Sequence, residues 1–593
     1  VTLARTRVAR STTIEREIRA ALKRDPTIMT MPPQLRVPGL SLAKIREPRG
    51  GSLPAPGAAA VVHLALLGAL LAAAVFADGG TVPQAWLACE FAAGVLLISW
   101  VVAGGRTRAA LAGTRARTAA PLTAVSRAAM PLTDLSRAER FPLAVFVLPL
   151  YAIVQAVPLP LALVKLLSPA RAELQESIAS WMPHVPAWTP LSVHPEATLD
   201  FALRLAAYAA VYWIVRGLAE RFDRNRFAVA APIVLVATAQ SAIALLQNFG
   251  AEPATGSYIN RNHLAGLLEM ALPFVVVPLI SLLPAAARRR LSSESRRAPA
   301  AAARMALAGT AVWAGTSRSA AIRTALATAA AVLLLAAILA TRSRAGLVAA
   351  LVSLLVIGLA SLQRIKPPRK RWLLGAMLPA LCAAAFLYLP PDNLVRRYAN
   401  VFGGEALRRE GRVLLWNETL DLIAAYPLAG CGFGGFEPAF VRFKRSAPMV
   451  ADAHAHNDYL ELLAEAGLIG FALCLLLAAR PIAAAVRAIM RSHVALDSSW
   501  SSSALASAGS GQDADLALAC VASLAAILVH SFVDFNLRIP ANGMVFVWLL
   551  GMCCACGEAV AQIRRGGASS LLAGPSLRST QRRAAAAFPP LET

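Results

Sequence analysis

The stretch AAAVVHLALLGALLAAAVFA, Ala58 to Ala77, holds no charged residue over its whole length. About 20 apolar residues suffice to carry a helix across a bilayer. ALATAAAVLLLAAILA (Ala325–Ala340) and VLLISWVVAG (Val95–Gly104) repeat the pattern. The chain of 593 residues is 57% hydrophobic and 15% charged, with a mean hydropathy of +0.58, well above that of soluble domains. Length alone would suggest several soluble domains. The apolar runs exclude that and predict an all-α polytopic integral membrane protein. About twelve spans are expected, over 58–77, 84–103, 142–164, 200–218, 227–248, 264–286, 323–341, 345–362, 372–390, 460–479, 515–534 and 541–561.

The net charge of +25 does not mark a nucleic-acid binder, because the charges gather in short clusters between the spans. Arg106, Arg108, Arg115, Arg117, Arg127, Arg137 and Arg140 fill one connection, Arg288, Arg289, Arg290, Arg296, Arg297 and Arg304 another, and RIKPPRKR (Arg364–Arg371) a third. All three fall on one face of this topology, together with both basic tails. The positive-inside rule makes that face cytoplasmic. The first fifty residues are basic without an apolar core, so no cleavable signal peptide is expected. The eight cysteines lie mostly within apolar runs, as small buried side chains do. No disulfide framework and no structural zinc are expected.

The opposite face carries the chemistry. A long Pro- and Trp-bearing loop, Ser168–Asp200, suits an interfacial cap. The segment Pro391–Tyr459 is the largest loop. Within it RVLLWNETLDLIAAYP (Arg412–Pro427) has apolar residues at helical spacing, which predicts a helix on or near the membrane, and GCGFGGF (Gly430–Phe436) reads as a flexible turn. ADAHAHNDYLELLAEAGLIG (Ala451–Gly470) then enters a span. Asp458 and Glu461 have capping-box spacing, so His456 and Asn457 sit just ahead of a helix N-terminus. That end of the dipole disfavours imidazolium, and a neutral imidazole accepts protons. Glu465 lies inside the apolar span, where an acid must face protein. The plainer reading is that His454, Asn457 and Asp458 cap a helix at a wet interface. A zinc site on His454 and His456 lacks a third ligand.

Four further patches share this face. Arg342 and Arg344 occupy the turn TRSRAG (Thr341–Gly346); guanidinium matches pyrophosphate oxygens, although a turn arginine also meets lipid headgroups. Arg412 opens the amphipathic helix, where an ordinary surface arginine is equally at home. NRNHLAG brings Asn262 and His263, and HSFVDFNLRIPAN brings His530, Asp534 and Arg538.

In order and spacing, NRNHLAG, TRSRAG, GRVLLWNETLDLIAAYPLAGCGFGGF, AHNDYLELLAEAGLIG and HSFVDFNLRIPAN resemble the O-antigen ligase/O-antigen polymerase family, across about residues 200–560. The resemblance implies a GT-C-like membrane glycosyltransferase of the bacterial inner membrane, with a large periplasmic loop. It implies a donor glycan linked to undecaprenyl pyrophosphate, an acceptor that is lipid A-core or another glycan, and no metal or other cofactor. It assigns pyrophosphate binding to Arg344 and Arg412 and acceptor activation to His456. Arg342, Asn262, His263, Asn457, Asp458, Glu465, His530 and Asp534 complete the expected substrate-binding set, with Glu465 or Asp458 as the alternative base. His454→Ala is expected to keep substantial activity. The organisation then reads as a basic cytoplasmic tail (1–57), N-terminal spans and loops (58–199), the ligase-related membrane domain (200–562, periplasmic loop 391–459) and a disordered cytoplasmic tail (563–593). The rival reading is a multi-pass transporter of a cell-envelope precursor, which predicts broken helices at mid-membrane; a non-catalytic scaffold would need none of the Arg/His set.

Overall fold

The computed structural model describes residues 57–118, 144–179, 181, 187–223, 225–247, 253–282, 318–362, 411–445, 452–497 and 504–572. Helices come in the order α1 (Ala58–Phe76), α2 (Pro83–Thr118), α3 (Val147–Ala156), α4 (Leu161–Leu167), α5 (Pro169–Ala179), α6 (Pro195–Arg221), α7 (Ala231–Gln247), α8 (Arg261–Ala271), α9 (Pro273–Leu282), α10 (Arg318–Ala340), α11 (Arg344–Leu362), α12 (Gly411–Ala425), α13 (Phe436–Phe440), α14 (Asp458–Asp497), α15 (Ala504–His530) and α16 (Pro540–Leu572). One two-residue hairpin, β1 (Leu159–Pro160) with β2 (Trp188–Thr189), pairs antiparallel. Among the described residues nine helical segments are long and apolar enough to cross a membrane. Two shorter apolar helices, Val147–Ala156 and Pro540–Cys556, accompany them. The molecule is a multi-pass membrane protein. The expected span at 372–390, residues 1–56 and 573–593 of the tails and most of the basic clusters lie outside the described residues; residues 563–572, expected to be disordered, continue α16 as helix.

The expected span over 142–164 is not one helix. α3 ends at Ala156, and Val157 turns extended (φ −73°, ψ 135°). Pro158 and Pro160 lack amide donors and push the residues before them out of the helical region. The chain instead forms β1, α4 and α5 before α6 begins. Trp181 and Trp188 stand exposed on this cap, as expected of an interfacial element.

Most of the apolar core is one large cluster, with three smaller ones around α12, Phe433 and Val164. Leu67, Leu71, Ile214, Leu218, Ile233, Leu264, Leu268 and Trp548 are among its fully buried side chains. Phe91, Ile98, Leu235, Leu326 and Leu476 point outward, where only lipid can receive them. Cys553 and Cys556 stand at C-x-x-C spacing in α16, but both are free thiols sealed in this core.

α14 is broken. Gly467 takes φ 60°, ψ −172° within it. The GCGFGG segment, read from sequence as a flexible turn, closes the break instead. Cys431 N donates to Ala464 O at 2.9 Å and Gly432 N to Glu465 O at 3.0 Å, while Leu468 N and Ile469 N donate to Pro427 O and Leu428 O. Gln155 Nε2 and Tyr151 Oη, both on α3, also donate into the gap, to Glu465 O and Ala466 O. The backbone groups freed by the break are thereby satisfied by protein. Glycine is required on both sides of the contact: a Cβ on Gly430 (φ +74°) would stand 2.2 Å from Glu465 O, and one on Gly467 2.3 Å from Leu428 O. Lipid-facing side chains begin only past the break, at Leu468 and Ile469. Asp458–Ala466 is therefore a short helix packed in protein. Glu465 lies at its end, ahead of the lipid-facing stretch, not deep within it as the sequence suggests.

Candidate functional site

α14 starts at the motif that drew attention in the sequence, but its cap differs from expectation. Asn457 is the cap residue: its Oδ1 accepts from Tyr459 N at 3.0 Å and Leu460 N at 3.1 Å, as an N-cap should. Asp458 and Glu461 form no capping box. Asp458 is buried, and ties α14 to the α15–α16 connection by donating its N–H to Ser531 O and accepting from Leu537 N through Oδ2. Glu461 accepts from Ala455 N at 2.9 Å and from His454 Nδ1 at 2.8 Å, and pairs with Arg538 Nε at 3.1 Å. Arg538 reaches Glu465 with its other arm, and its guanidinium lies over the Phe201 ring, 5.0 Å from the centroid. Glu465 Oε1 accepts from Phe436 N.

The α15–α16 connection forms the floor. Asp534 is 1% exposed. Its Oδ2 accepts from Asn262 Nδ2 at 2.6 Å, and its Oδ1 from Phe535 N at 2.9 Å. Oδ1 also faces His456 Nδ1 at 3.6 Å and His263 Nε2 at 3.7 Å. Burial works to raise the Asp534 carboxyl, but the neighbouring imidazoles of His263 and His456 and the Phe535 amide outweigh it and hold the group well below the usual carboxylate range. Phe535 gathers three imidazoles: His454 stacks on it at 4.0 Å, and His263 and His456 meet it edge-on at 4.7 and 4.9 Å. His263 is buried, while His454 and His456 are each about one-third exposed (34% and 35%).

The helix expected over Arg412–Pro427 is α12, and it brings Arg412 in; it is not the amphipathic helix expected, since Leu414 and Leu420 are exposed while Glu418 and Thr419 are buried. Arg412 Nη1 donates to Val533 O at 2.8 Å, and Trp416, one turn on, donates to Ala455 O at 3.0 Å, between the two exposed histidines. Arg342 and Arg344 are exposed at the α10–α11 turn. That turn lies at the same end, because Gly346 packs directly on Ala265 of α8, two residues past His263. Two of the singled-out residues carry left-handed backbones, Arg342 (φ 52°) and His456 (φ 49°). Non-glycine residues hold that region only where the surroundings over-determine it, and such positions cluster at functional sites.

His456, Asp534, Asn262, His263 and Arg412 thus meet at one end of the bundle, with Arg344 and Arg342 at the same end. His530 is not among the exposed groups there. It is fully buried and bonded to Glu269 at 3.1 Å, so it supports the floor from below. Asp458 and Glu465 are likewise supports; neither carboxylate is open to a substrate. Sequence reading passed over Phe535, took Glu461 only for a capping residue, and treated Arg538 only as one member of a polar patch. The available signal was Glu461 and Glu465 at i,i+4 on one helix face: two carboxylates entering an apolar helix together demand a cation. Among the described residues no group of three His, Cys, Asp or Glu side chains is placed to hold a metal ion.

Fold and site define the class: a polytopic helical membrane protein whose polar, titratable residues meet at one end of the bundle. Residues 329–475 match the family described as O-antigen ligase, and the chain carries a domain of that family. The matched stretch holds TRSRAG, α12, the GCGFGG clamp and the start of α14; NRNHLAG and HSFVDFNLRIPAN lie outside it and join the site through Asn262 and Asp534. No curated protein sequence matches the chain.

Proposed function

We propose that the chain is an inner-membrane glycosyltransferase of GT-C-like architecture. It takes a glycan from undecaprenyl pyrophosphate and transfers it, at the periplasmic face and without a cofactor, to lipid A-core or to another glycan. The observation that carries this reading is the partly exposed His456 with Nδ1 turned toward the buried Asp534 carboxylate, next to an arginine pinned at Val533. A buried carboxylate behind one ring nitrogen orients the imidazole and stabilises it once protonated, leaving the other nitrogen to accept a proton. The acceptor hydroxyl loses its proton to His456 as its oxygen bonds to the anomeric carbon. The carbon–oxygen bond to pyrophosphate breaks, and the electron pair leaves with the lipid pyrophosphate. Direct attack inverts the anomeric configuration. Arg412 and Arg344 serve the leaving group, where charge develops. A lipid-borne donor keeps its prenyl chain in the bilayer and its pyrophosphate at headgroup depth, which favours catalytic groups on the ends of spans.

The broken α14 is the feature a transporter reading would cite. Its gap is filled by hydrogen-bonded protein backbone, which favours a fixed scaffold over an alternating one. The test is transfer by the purified protein from lipid-linked donor to acceptor, in the presence of chelator. The parent should transfer and His456→Ala should fold, insert and fail. Full transfer by His456→Ala would overturn the base assignment, and counter-transport of donor without transfer would overturn the enzyme.

A further inference from the structure

The two exposed histidines of the site do not have the same surroundings. His456 faces a carboxylate that is already met by Asn262 and Phe535 N. His454 instead donates its Nδ1 to Glu461 Oε1 at 2.8 Å, within true hydrogen-bond distance and shorter than the 3.6 Å at His456. Behind it lie two buried carboxyl groups on one cation. Glu461 and Glu465 are both 1% exposed, and they share one guanidinium, that of Arg538. With both acids ionised, one negative charge has no buried counterpart. The only further cationic group in hydrogen-bond contact with either carboxylate, among the described residues, is the His454 ring.

We propose that His454 stands as an imidazolium at neutral pH and is a binding residue for the phosphate of the donor, working with Arg412. This rests on the proposed phosphate-linked donor and adds a cation to it. The division of labour is then between two histidines one residue apart: His456 accepts the proton of the acceptor, and His454 presents positive charge to the leaving group.

The surroundings of His454 can be named from each side. From α14 come Glu461 and Glu465, from the α15–α16 connection Asp534 and Arg538, from α8 His263, and from its own segment ahead of α14 His456. Burial pushes the His454 imidazolium down, but Glu461 raises it by charge and by hydrogen bond, and the net effect lies above the ordinary value. The ring is stacked on Phe535 at 4.0 Å and 18°, which fixes its plane, and the side chain stays about one-third exposed. Trp416 and Arg412 on α12 hold the backbone on either side, at Ala455 O and Val533 O. An imidazolium so anchored is a preorganised anion-binding donor. The bare role of a structural hydrogen bond to Glu461 would not require the ring to be charged.

The experiment measures binding of inorganic pyrophosphate to the detergent-purified full chain by calorimetry, for the parent, His454→Gln, His454→Lys and Glu461→Gln, from pH 6.5 to pH 9. Comparing each variant with the parent at the same pH cancels the titration of pyrophosphate itself. The expected result is about tenfold weaker binding by His454→Gln at pH 6.5, a magnitude typical of losing one charge-assisted hydrogen bond, shrinking toward parity as pH rises and the parent ring loses its proton. His454→Lys should hold affinity at both ends of the range, and Glu461→Gln should move the parent-like loss to lower pH. Equal binding by His454→Gln and the parent at pH 6.5 overturns the proposal. So does a pH-independent loss that lysine fails to rescue, which marks a structural role. Absence of pyrophosphate binding by the parent overturns it as well. Pyrophosphate binding that depends on His454 in a protein that transfers no glycan would leave this inference standing and remove the glycosyltransferase.

Discussion

Arg538→Met removes one buried cation from between two carboxylates. The Arg538 side chain is 8% exposed, its Nε lies 3.1 Å from Glu461, and its other arm is on Glu465. Neither acid can turn to water: both are 1% exposed. Breaking a buried ion pair from one side costs about 3–5 kcal/mol, and here one deletion strands two acids, so the upper end of that range is expected. His454 offsets part of it at neutral pH by its bond to Glu461. Converting both acids to glutamine in the Arg538→Met background removes the stranded charge and should recover about 1–3 kcal/mol, the size of coupling seen between residues of one network. The assay is the unfolding midpoint in mixed micelles at fixed detergent, for parent, single, double and triple variants. If Arg538→Met unfolds with the parent, or if the triple variant is no more stable than the single, the network is not the buttress described.

Gly430→Ala should destabilise the fold by about 1–3 kcal/mol, read as a lower unfolding midpoint, and impair transfer, because a Cβ there meets Glu465 O at 2.2 Å; parent-like behaviour would mean that the clamp yields freely. Arg344→Lys should lose most transfer at matched expression, since a point charge keeps the sign but not the paired donors, and parent-like output would remove Arg344 from the site. For Asp534 the folded carboxyl lies below its unfolded value of about 3.9, so its contribution to stability is complete above that pH and is lost on acidification below it. Asp534→Asn should therefore show a flatter fall in unfolding midpoint below pH 4 than the parent. Membrane-impermeant thiol labelling should reach a cysteine placed at Ser446 and not one at Lys366; the opposite pattern would reverse the periplasmic assignment.

The membrane spans were legible because hydropathy is a property of contiguous residues: α1, α6, α7, α10 and α11 fall where the apolar runs put them. The exception at 142–164 was legible too, in Pro158 and Pro160, but hydropathy weighed more heavily than backbone chemistry. That α12 is a helix followed from spacing alone, though its apolar residues do not share one face. The site was half legible. His456, Asp534, Asn262 and Arg412 were recognisable as polar groups at helix ends, and the structure brings them together. Their partners were not, because pairing depends on distances between residues far apart in the chain. Arg538 meets Glu461 and Glu465 only after α15 has doubled back, and Phe535 collects three imidazoles from two other segments. The glycines of GCGFGG read as looseness because glycine serves both flexible turns and close backbone contact; only the position of Gly467 opposite them distinguishes the two.

The clamp and the Arg538 network also set an order for biogenesis. Translation delivers α12 and the glycine segment first, then α14 with its two acids, and Arg538 only with the last hairpin. Until that hairpin arrives, Glu461 and Glu465 have no guanidinium, and the short helix that carries them has little reason to settle against the glycine segment. Assembly of the polar end is therefore a late event, gated by residues that follow α15. A nascent protein halted before Arg538 would hold most of the membrane helices described and no finished site, and a quality-control protease would meet Glu461 and Glu465 exposed where the mature protein buries both.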